Sequence, residues 1–224
     1  MALDRTKTDP YLGCALHENL IKMGVETPMV EDKLPKHEER LGTITRNVHE
    51  IMTALGLDLR DDSLCETPRR IAKMYLNEIF WGLDYNNFPK ITTIENKMQY
   101  ENMLLERHIK VSSTCEHHFI PMMGEAFIAY LPDKKVIGLS KINRIVEFFS
   151  RRPQVQERLT EQIFHTLCYI LETEDVAVLI KAEHTCVKLR GVEDVNSDTV
   201  TSRLGGMFLE GAALRNEFFQ SIKL

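Results

Sequence analysis

Leu41, Ile44, Val48, Ile51, Met52 and Leu55 recur at three- and four-residue spacing, and Gly56 follows the last of them. That period predicts a helix with one apolar face, closed by glycine. A second helix is predicted to open at Thr67-Pro68. There Thr67 serves as N-cap, and Pro68 takes a position whose N–H is not needed. Ile71, Met74, Tyr75 and Ile79 form its apolar face. A short helical stretch is expected near residues 15–23. Pro28 and Pro35 mark residues 26–36 as a connector, and Pro89 marks 86–91 as another.

From about residue 100 the pattern changes. Residues 103–113 and 125–131 read as strands, followed by a turn at Pro132-Asp133 and a short strand over 136–139. Helices are expected over 140–151 and 153–171, separated by Pro153. A long strand is expected from Val176 to about Arg190, and Leu214, Phe218 and Ile222 predict a C-terminal helix. The fold class is therefore α+β. Residues 1–100 form an N-terminal helical region with a linker, and 101–224 form a strand–strand–helix–helix–strand core.

Composition narrows the function. The chain has 224 residues, 43% hydrophobic and 27% charged, enough to bury a core. Its net charge of −5 argues against a non-specific nucleic-acid binder, so an anionic ligand needs a local cluster of Lys and Arg. No apolar run approaches the ~20 residues that span a bilayer. The N-terminal residues carry no apolar leader core, so a cytoplasmic location is expected. The five cysteines (Cys14, Cys65, Cys115, Cys168 and Cys186) are odd in number and widely spaced. Thiols or metal ligands fit that spacing better than a disulfide framework.

Two segments carry metal-site chemistry. In Cys115-Glu116-His117-His118 a thiolate and an imidazole stand three residues apart. In the expected late strand, His184, Cys186, Lys188 and Arg190 share one parity, which would put all four on one sheet face. Cys115, His118 and Cys186 suit Zn2+ with its fourth position open, the catalytic pattern. Two other readings stay open on these residues: a structural zinc closed by His117 or His184, and a buried thiol without metal. An open zinc lowers the pKa of its water from about 15.7 to about 7. His117 and His184 would then stand beside it as acid–base groups.

A candidate anion site follows. Ser140 is expected at the N-cap of the helix over 140–151, with Lys141 and Arg144 on one face. An ordinary solvated basic face is the alternative, and the same holds for Arg69, Arg70 and Lys73. Glu157 opens the next helix. Either it is a plain solvated carboxylate, or it accepts two N–H groups from a purine edge.

These strings closely resemble one family. STCEHHF (113–119), GLSKINRIV (138–146), RPQVQERLT (152–160), EHTCVKLRG (183–191), LGGMF (204–208) and ETPRRIAKMY (66–75) with ENKM (95–98) are similar to GTP cyclohydrolase I. The resemblance runs from about residue 40 to the end. It implies a tunnelling-fold core, an antiparallel sheet with two helices on one face, assembled as a homo-oligomer, a decamer of stacked rings with active sites at subunit interfaces. It implies GTP as substrate and formate and 7,8-dihydroneopterin triphosphate as products. By position it implies Cys115, His118 and Cys186 as zinc ligands, and His117 and His184 as acid–base groups with Ser140 in the ribose steps. It implies Glu157 and Gln156 as guanine readers, helped by backbone near Leu139 and Val155. Ser140, Lys141, Arg144 and Arg190 would hold the triphosphate, with Arg70 and Lys73 from a neighbouring subunit. The chain departs from the family's pattern at Thr185 and over residues 198–203. A zinc purine deaminase is the competing enzyme class, but its H-x-E paired with P-C-x-x-C is not present, because no P-C-x-x-C string occurs. A non-catalytic zinc module would instead close the metal with four protein ligands.

Overall fold

The computed structural model describes residues 3–30 and 34–223. In chain order these form α1 (Pro10–Lys22), α2 (His37–Ala54), α3 (Thr67–Met74), β1 (Thr93–Glu95), β2 (Leu104–Cys115), β3 (Pro121–Tyr130) and β4 (Lys135–Ile137). There follow α4 (Leu139–Ser150), β5 (Pro153–Gln154), α5 (Gln156–Leu171), β6 (Val176–His184), α6 (Thr185–Lys188), β7 (Thr199–Leu204), α7 (Gly206–Glu210) and α8 (Ala212–Ile222). The α+β class expected from the sequence is present. Residues 31–33, inside the expected connector over 26–36, lie outside the described residues. No helix among the described residues is long and apolar enough to cross a membrane.

The chain divides into two compact units. One unit spans Pro28–Trp81; the other joins Asp4–Thr27 to Gly82–Leu224, so α1 belongs with the sheet. In the first unit α2 packs on α3. Met52 is buried, while Ile51 and Leu55 stay 60% and 72% exposed. The eight residues of α3 are too short to cover the eighteen of α2. Thr67 is the first helical residue, not the cap: Glu66 holds the cap position, and the Thr67 N–H is already bonded to the Leu64 carbonyl at 2.9 Å.

The second unit is built on a five-stranded sheet in the order β5-β2-β3-β6-β7. All pairings are antiparallel except β2 with β5. Strands buried on both faces read as continuous apolar runs, as 176–180 do. Phe127, Ala129, Ala177 and Leu179 pack against Phe208, Phe218 and Ile222 of α7 and α8. By alternation Ile128, Val178 and Ile180 take the opposite face, where α4 lies on β2 and α5 lies on β6 and β7. Pairing of β4 with β1 forms a separate two-stranded ribbon.

Three expectations need correction. The strand expected to reach Arg190 ends at His184. Its partner β3 begins at Pro121, with Met122 opposite His184, so β6 has no neighbour on that side to continue along. On the other side, pairing with β7 stops at Ala182 opposite Thr199. The chain folds instead into the one-turn α6. Pro153-Gln154 pair with the end of β2, so the helix expected from 153 starts at Gln156. The strand β7, not anticipated from sequence, forms the sheet edge over the stretch that departs from the family's pattern.

Two local devices lock this unit. Gly206 sits at φ +46°, where a Cβ would fall 2.0 Å from Asp175 Oδ1, the atom that accepts from the Met207 N–H. Only glycine fits there. Arg152 is fully buried. Its guanidinium donates to Glu26 (3.2 Å), Thr27 Oγ1 (3.4 Å), Tyr85 Oη (3.3 Å) and the Gly82 carbonyl. It also lies 4.8–5.0 Å from the centroids of the Tyr85, Phe148 and Phe149 rings. Tyr85 Oη donates to Glu26 in turn. One cation thus ties the chain after α1 to the segment joining α4 and α5.

Arg152→Met leaves Glu26, whose side chain is only 11% exposed, without its cation, and a urea titration is expected to lose about 3 kcal/mol. Glu106 provides a pH-dependent counterpart. Burial raises its pKa above the ordinary glutamate value, opposed by the hydrogen bond from Asn143. An acid with a raised folded-state pKa destabilises the fold once ionised. Glu106→Gln is therefore expected to raise the unfolding midpoint at neutral pH. The gain should vanish below the ordinary glutamate pKa, grow as pH rises towards the folded-state value, and level off above it.

Candidate metal centre

The hairpin between β2 and β3 places the first two ligands. Thr114 pairs with Pro121, and the Cys115 N–H donates to the Ile120 carbonyl at 2.9 Å. The Phe119 N–H returns to the Cys115 carbonyl at 2.9 Å, and Phe119 adopts φ +54°. This closed turn leaves Cys115 buried with His117 and His118 exposed. Cys115 Sγ lies 3.8 Å from His118 Nδ1 and 3.9 Å from His117 Nδ1. Glu116 holds the turn to the neighbouring elements. Its N–H donates to the Gln154 carbonyl at 3.0 Å, and its carboxylate accepts from Arg158 of α5.

Cys186 arrives by a different route from the one expected. The shared strand face of His184, Cys186, Lys188 and Arg190 does not exist, because the strand stops at His184. Cys186 sits on α6, whose first residue, Thr185, donates its hydroxyl to the Pro121 carbonyl. That bond draws α6 against the start of β3, beside the end of β2. Ligand atoms of Cys115, His118 and Cys186 consequently all lie within 4.8 Å of one another. Among the described residues this group has three members, and neither His117 nor His184 joins it.

The donors fit a metal ion. Two thiols and one imidazole are the set that suits zinc, and three ligands leave a coordination position for another molecule. Burial and the neighbouring Cys115 thiol raise the Cys186 pKa, while Arg190 pulls it down. Two adjacent thiolates repel one another, and a cation between them reverses that penalty. Cys168 has no such role: it is buried away from the group, with its pKa pushed up to about 12 by desolvation.

The other predicted residues fall into three sets. His184, Gln156 and Glu157 form the first. The His184 ring accompanies Gln156 Oε1 at 2.8 Å. Burial lowers the His184 pKa, and the Glu157 charge opposes that shift. Glu157 is exposed at the start of α5, and Val155 is its N-cap. The second set is basic. The side chains of Lys141, Arg144 and Arg190 make no hydrogen bond or ion pair with other described residues, whereas Lys188 is tied to Glu183 at 2.9 Å. Leu139 and Ser140 are the first two residues of α4, with Gly138 at the cap position, so Ser140 is not the N-cap. Lys141 takes the place next to them, its N–H bonded to the Gly138 carbonyl. Arg70 and Lys73 form the third set, exposed on α3 in the other unit.

The sequence matches the family described as GTP cyclohydrolase I over residues 44–223. The chain belongs to the GTP cyclohydrolase I family. Relatives named GTP cyclohydrolase 1 agree with this. The protein of Mannheimia succiniciproducens is 58% identical over 203 residues, covering 91% of this chain and 93% of its own. That of Haemophilus influenzae is 55% identical over 204 residues, 91% and 93%. That of Haemophilus ducreyi is 56% identical over 207 residues, 92% and 94%. The chain is thus an enzyme of the cyclohydrolase family, and the Cys–His–Cys group is its candidate metal centre.

Sequence reasoning missed Arg158 and Thr185 as supports of that centre. Arg158 lies beside Glu157 in sequence, but only the β2–β5 pairing brings Glu116 to it. Cys186→Ala and His118→Ala are each expected to weaken binding of a divalent cation by more than the ~10–100-fold that loss of an outer-shell partner costs. Cys168→Ala should leave it unchanged. Metal analysis after equilibrium dialysis reads the difference.

Proposed function

We propose that this chain converts GTP and water to formate and 7,8-dihydroneopterin 3'-triphosphate, the first step of tetrahydrofolate and pterin biosynthesis, with zinc held by Cys115, His118 and Cys186. The observation that carries this reading is the three-ligand group with an imidazole, an exposed carboxylate and unpaired cations on the elements beside it. Bound at this triad, zinc supplies a Lewis acid that makes water nucleophilic near neutral pH.

The chain's own residues do the rest. Glu157, with its exposed carboxylate, accepts the two N–H groups of the guanine edge, with backbone near Leu139 and Val155 beside it. Gln156 stands next to it with its amide turned into the sheet. Lys141, Arg144 and Arg190 offer free positive charge to the triphosphate, and the first N–H groups of α4 at Leu139 and Ser140 add a helix N-terminus. Arg70 and Lys73 complete that cradle from a neighbouring subunit of a homodecamer with a tunnelling-fold core, a cytoplasmic assembly. His117 and His184 move protons at the purine ring while C8 is attacked and released as formate. Ser140 and His184 serve the later ribose rearrangement.

Incubating zinc-loaded protein with GTP should release formate and give the fluorescence of an oxidised pterin. Ammonia without formate would instead mark a deaminase and sink the proposal. Glu157→Gln replaces a carboxylate that bonds two N–H groups. It is expected to lower kcat/KM roughly 10–150-fold, as loss of about 1.5–3 kcal/mol of charge-assisted bonding implies.

A further inference from the structure

Gln156 is 1% exposed, and both hydrogens of its side-chain amide are committed. Its Nε2 donates to the Ile180 carbonyl at 3.0 Å and to the Thr199 carbonyl at 2.9 Å. Thr201 Oγ1 stands 3.1 Å from the same nitrogen. On the other side, Gln156 Oε1 faces His184 Nε2 at 2.8 Å.

The orientation of an amide is normally ambiguous, because its oxygen and nitrogen have the same shape. Here it is forced. Backbone carbonyls can only accept, so the atom facing Ile180 and Thr199 must be the NH2 group. The reverse orientation would set three oxygens against one another in a buried site. The hydroxyls agree in polarity. Thr160 Oγ1 donates to the Gln156 carbonyl at 2.9 Å, so the Thr201 hydroxyl, 2.7 Å away, donates to Thr160. Its lone pairs are then free to face the Gln156 amide. Every donor in the chain has an acceptor only when Gln156 Oε1 points at His184. That oxygen can only accept, so the ring nitrogen opposite it must carry a proton.

We propose that Gln156 is a positioning residue which locks the His184 ring with its Nε2–H bonded to Gln156 Oε1, leaving Nδ1 as the nitrogen presented to substrate. This holds whether the ring is neutral or cationic, since Nε2 keeps its proton in both forms. Nδ1 has no hydrogen-bond partner among the described residues and is the nitrogen left to meet substrate. Base recognition through the side-chain N–H groups of Gln156 is closed, because the two carbonyls have already taken them. The backbone makes the lock rigid: Ile180 and Thr201 are paired residues of β6 and β7, so the amide is anchored on a sheet ladder. Orienting partners of this kind decide which nitrogen of a histidine does chemistry.

The tautomer tests the lock without any substitution. The full-length, zinc-loaded protein, labelled with nitrogen-15 in histidine, is measured by solid-state NMR, and His184→Gln assigns the signal. A bonded proton at His184 Nε2 is expected; a bare Nε2 with a proton on Nδ1 overturns the proposal. Gln156→Met, of similar volume, should let the tautomers mix. The consequence for turnover rests on the GTP reading above. There Gln156→Met is expected to lower kcat ~10–100-fold, the usual cost of an orienting partner, with KM for GTP unchanged. A raised KM at unchanged kcat would return Gln156 to base recognition and overturn the positioning role. Failure of the unsubstituted protein to release formate from GTP would defeat the functional reading alone, because the NMR result judges the lock independently.

Discussion

The pairing of β3 with its two neighbours is the constraint on which the site depends. Thr114 stands opposite Pro121 on one side of β3, and His184 stands opposite Met122 on the other. Residues about seventy positions apart in sequence therefore end their strands side by side. Because side chains alternate, a slip of one residue would turn His184 to the other face and remove Gln156 from its reach. It would also part the Thr185 hydroxyl from the Pro121 carbonyl, the bond that carries α6 and Cys186 towards Cys115. The apolar pairs Phe127 with Leu179 and Ala129 with Ala177 hold that register from the far end of the strands. Burial of one face against α7 and α8 thus sets the geometry of a polar site at the opposite end.

Buried polar groups add definition that apolar packing cannot give. Arg152 and Glu26 are an ion pair in the interior, and such pairs contribute little net stability when compared with apolar replacements. Their strength is directional. A guanidinium with four oxygen partners and three aromatic neighbours has one acceptable arrangement, and it fixes where the segment before α5 leaves α4. The first turn of α5 then has a fixed origin. Gln156, Glu157 and Arg158 are consecutive there, and each points to a different target: the sheet and His184, the solvent, and Glu116.

How far these features can be read from sequence follows from the range of the interactions that make them. Cys115 and His118 are legible because three-residue spacing in a tight turn is a local property. The helices over Leu139–Ser150, Gln156–Leu171 and Ala212–Ile222 are legible because each buries a periodic face. Cys186 reaches the group as its donor type and the family resemblance imply, although the shared strand face does not form. The length of β6 is decided by where β3 and β7 begin and end, not by the preferences of residues 185–190. For the same reason β7, an exposed edge without a strong apolar period, left no clear sign. Gln156 was the least legible of all. Its amide partners Thr199 and Thr201 lie 43 and 45 residues away, and no local pattern marks a glutamine whose hydrogens end on a sheet. Arg152 meets Glu26 across 126 residues and is hidden in the same way.

Rigid and adjustable parts of the site divide along the same line. Cys115, Gln156 and His184 are set by strand ends and buried hydrogen bonds, so little reorganisation separates the protein from the arrangement its chemistry needs. The side chains of Lys141, Arg144 and Arg190 have no hydrogen bond or ion pair among the described residues, and long side chains not held in this way keep their rotamer freedom until a ligand takes it. That freedom suits a polyanion, whose oxygens can be met in several ways, and would not suit proton transfer, which needs a ring nitrogen within ~3 Å of one atom. A proton donor or acceptor on so flexible a stem would spend most of its time out of reach. In the proposed function, therefore, the sheet carries the proton chemistry and the cations without side-chain partners meet the triphosphate.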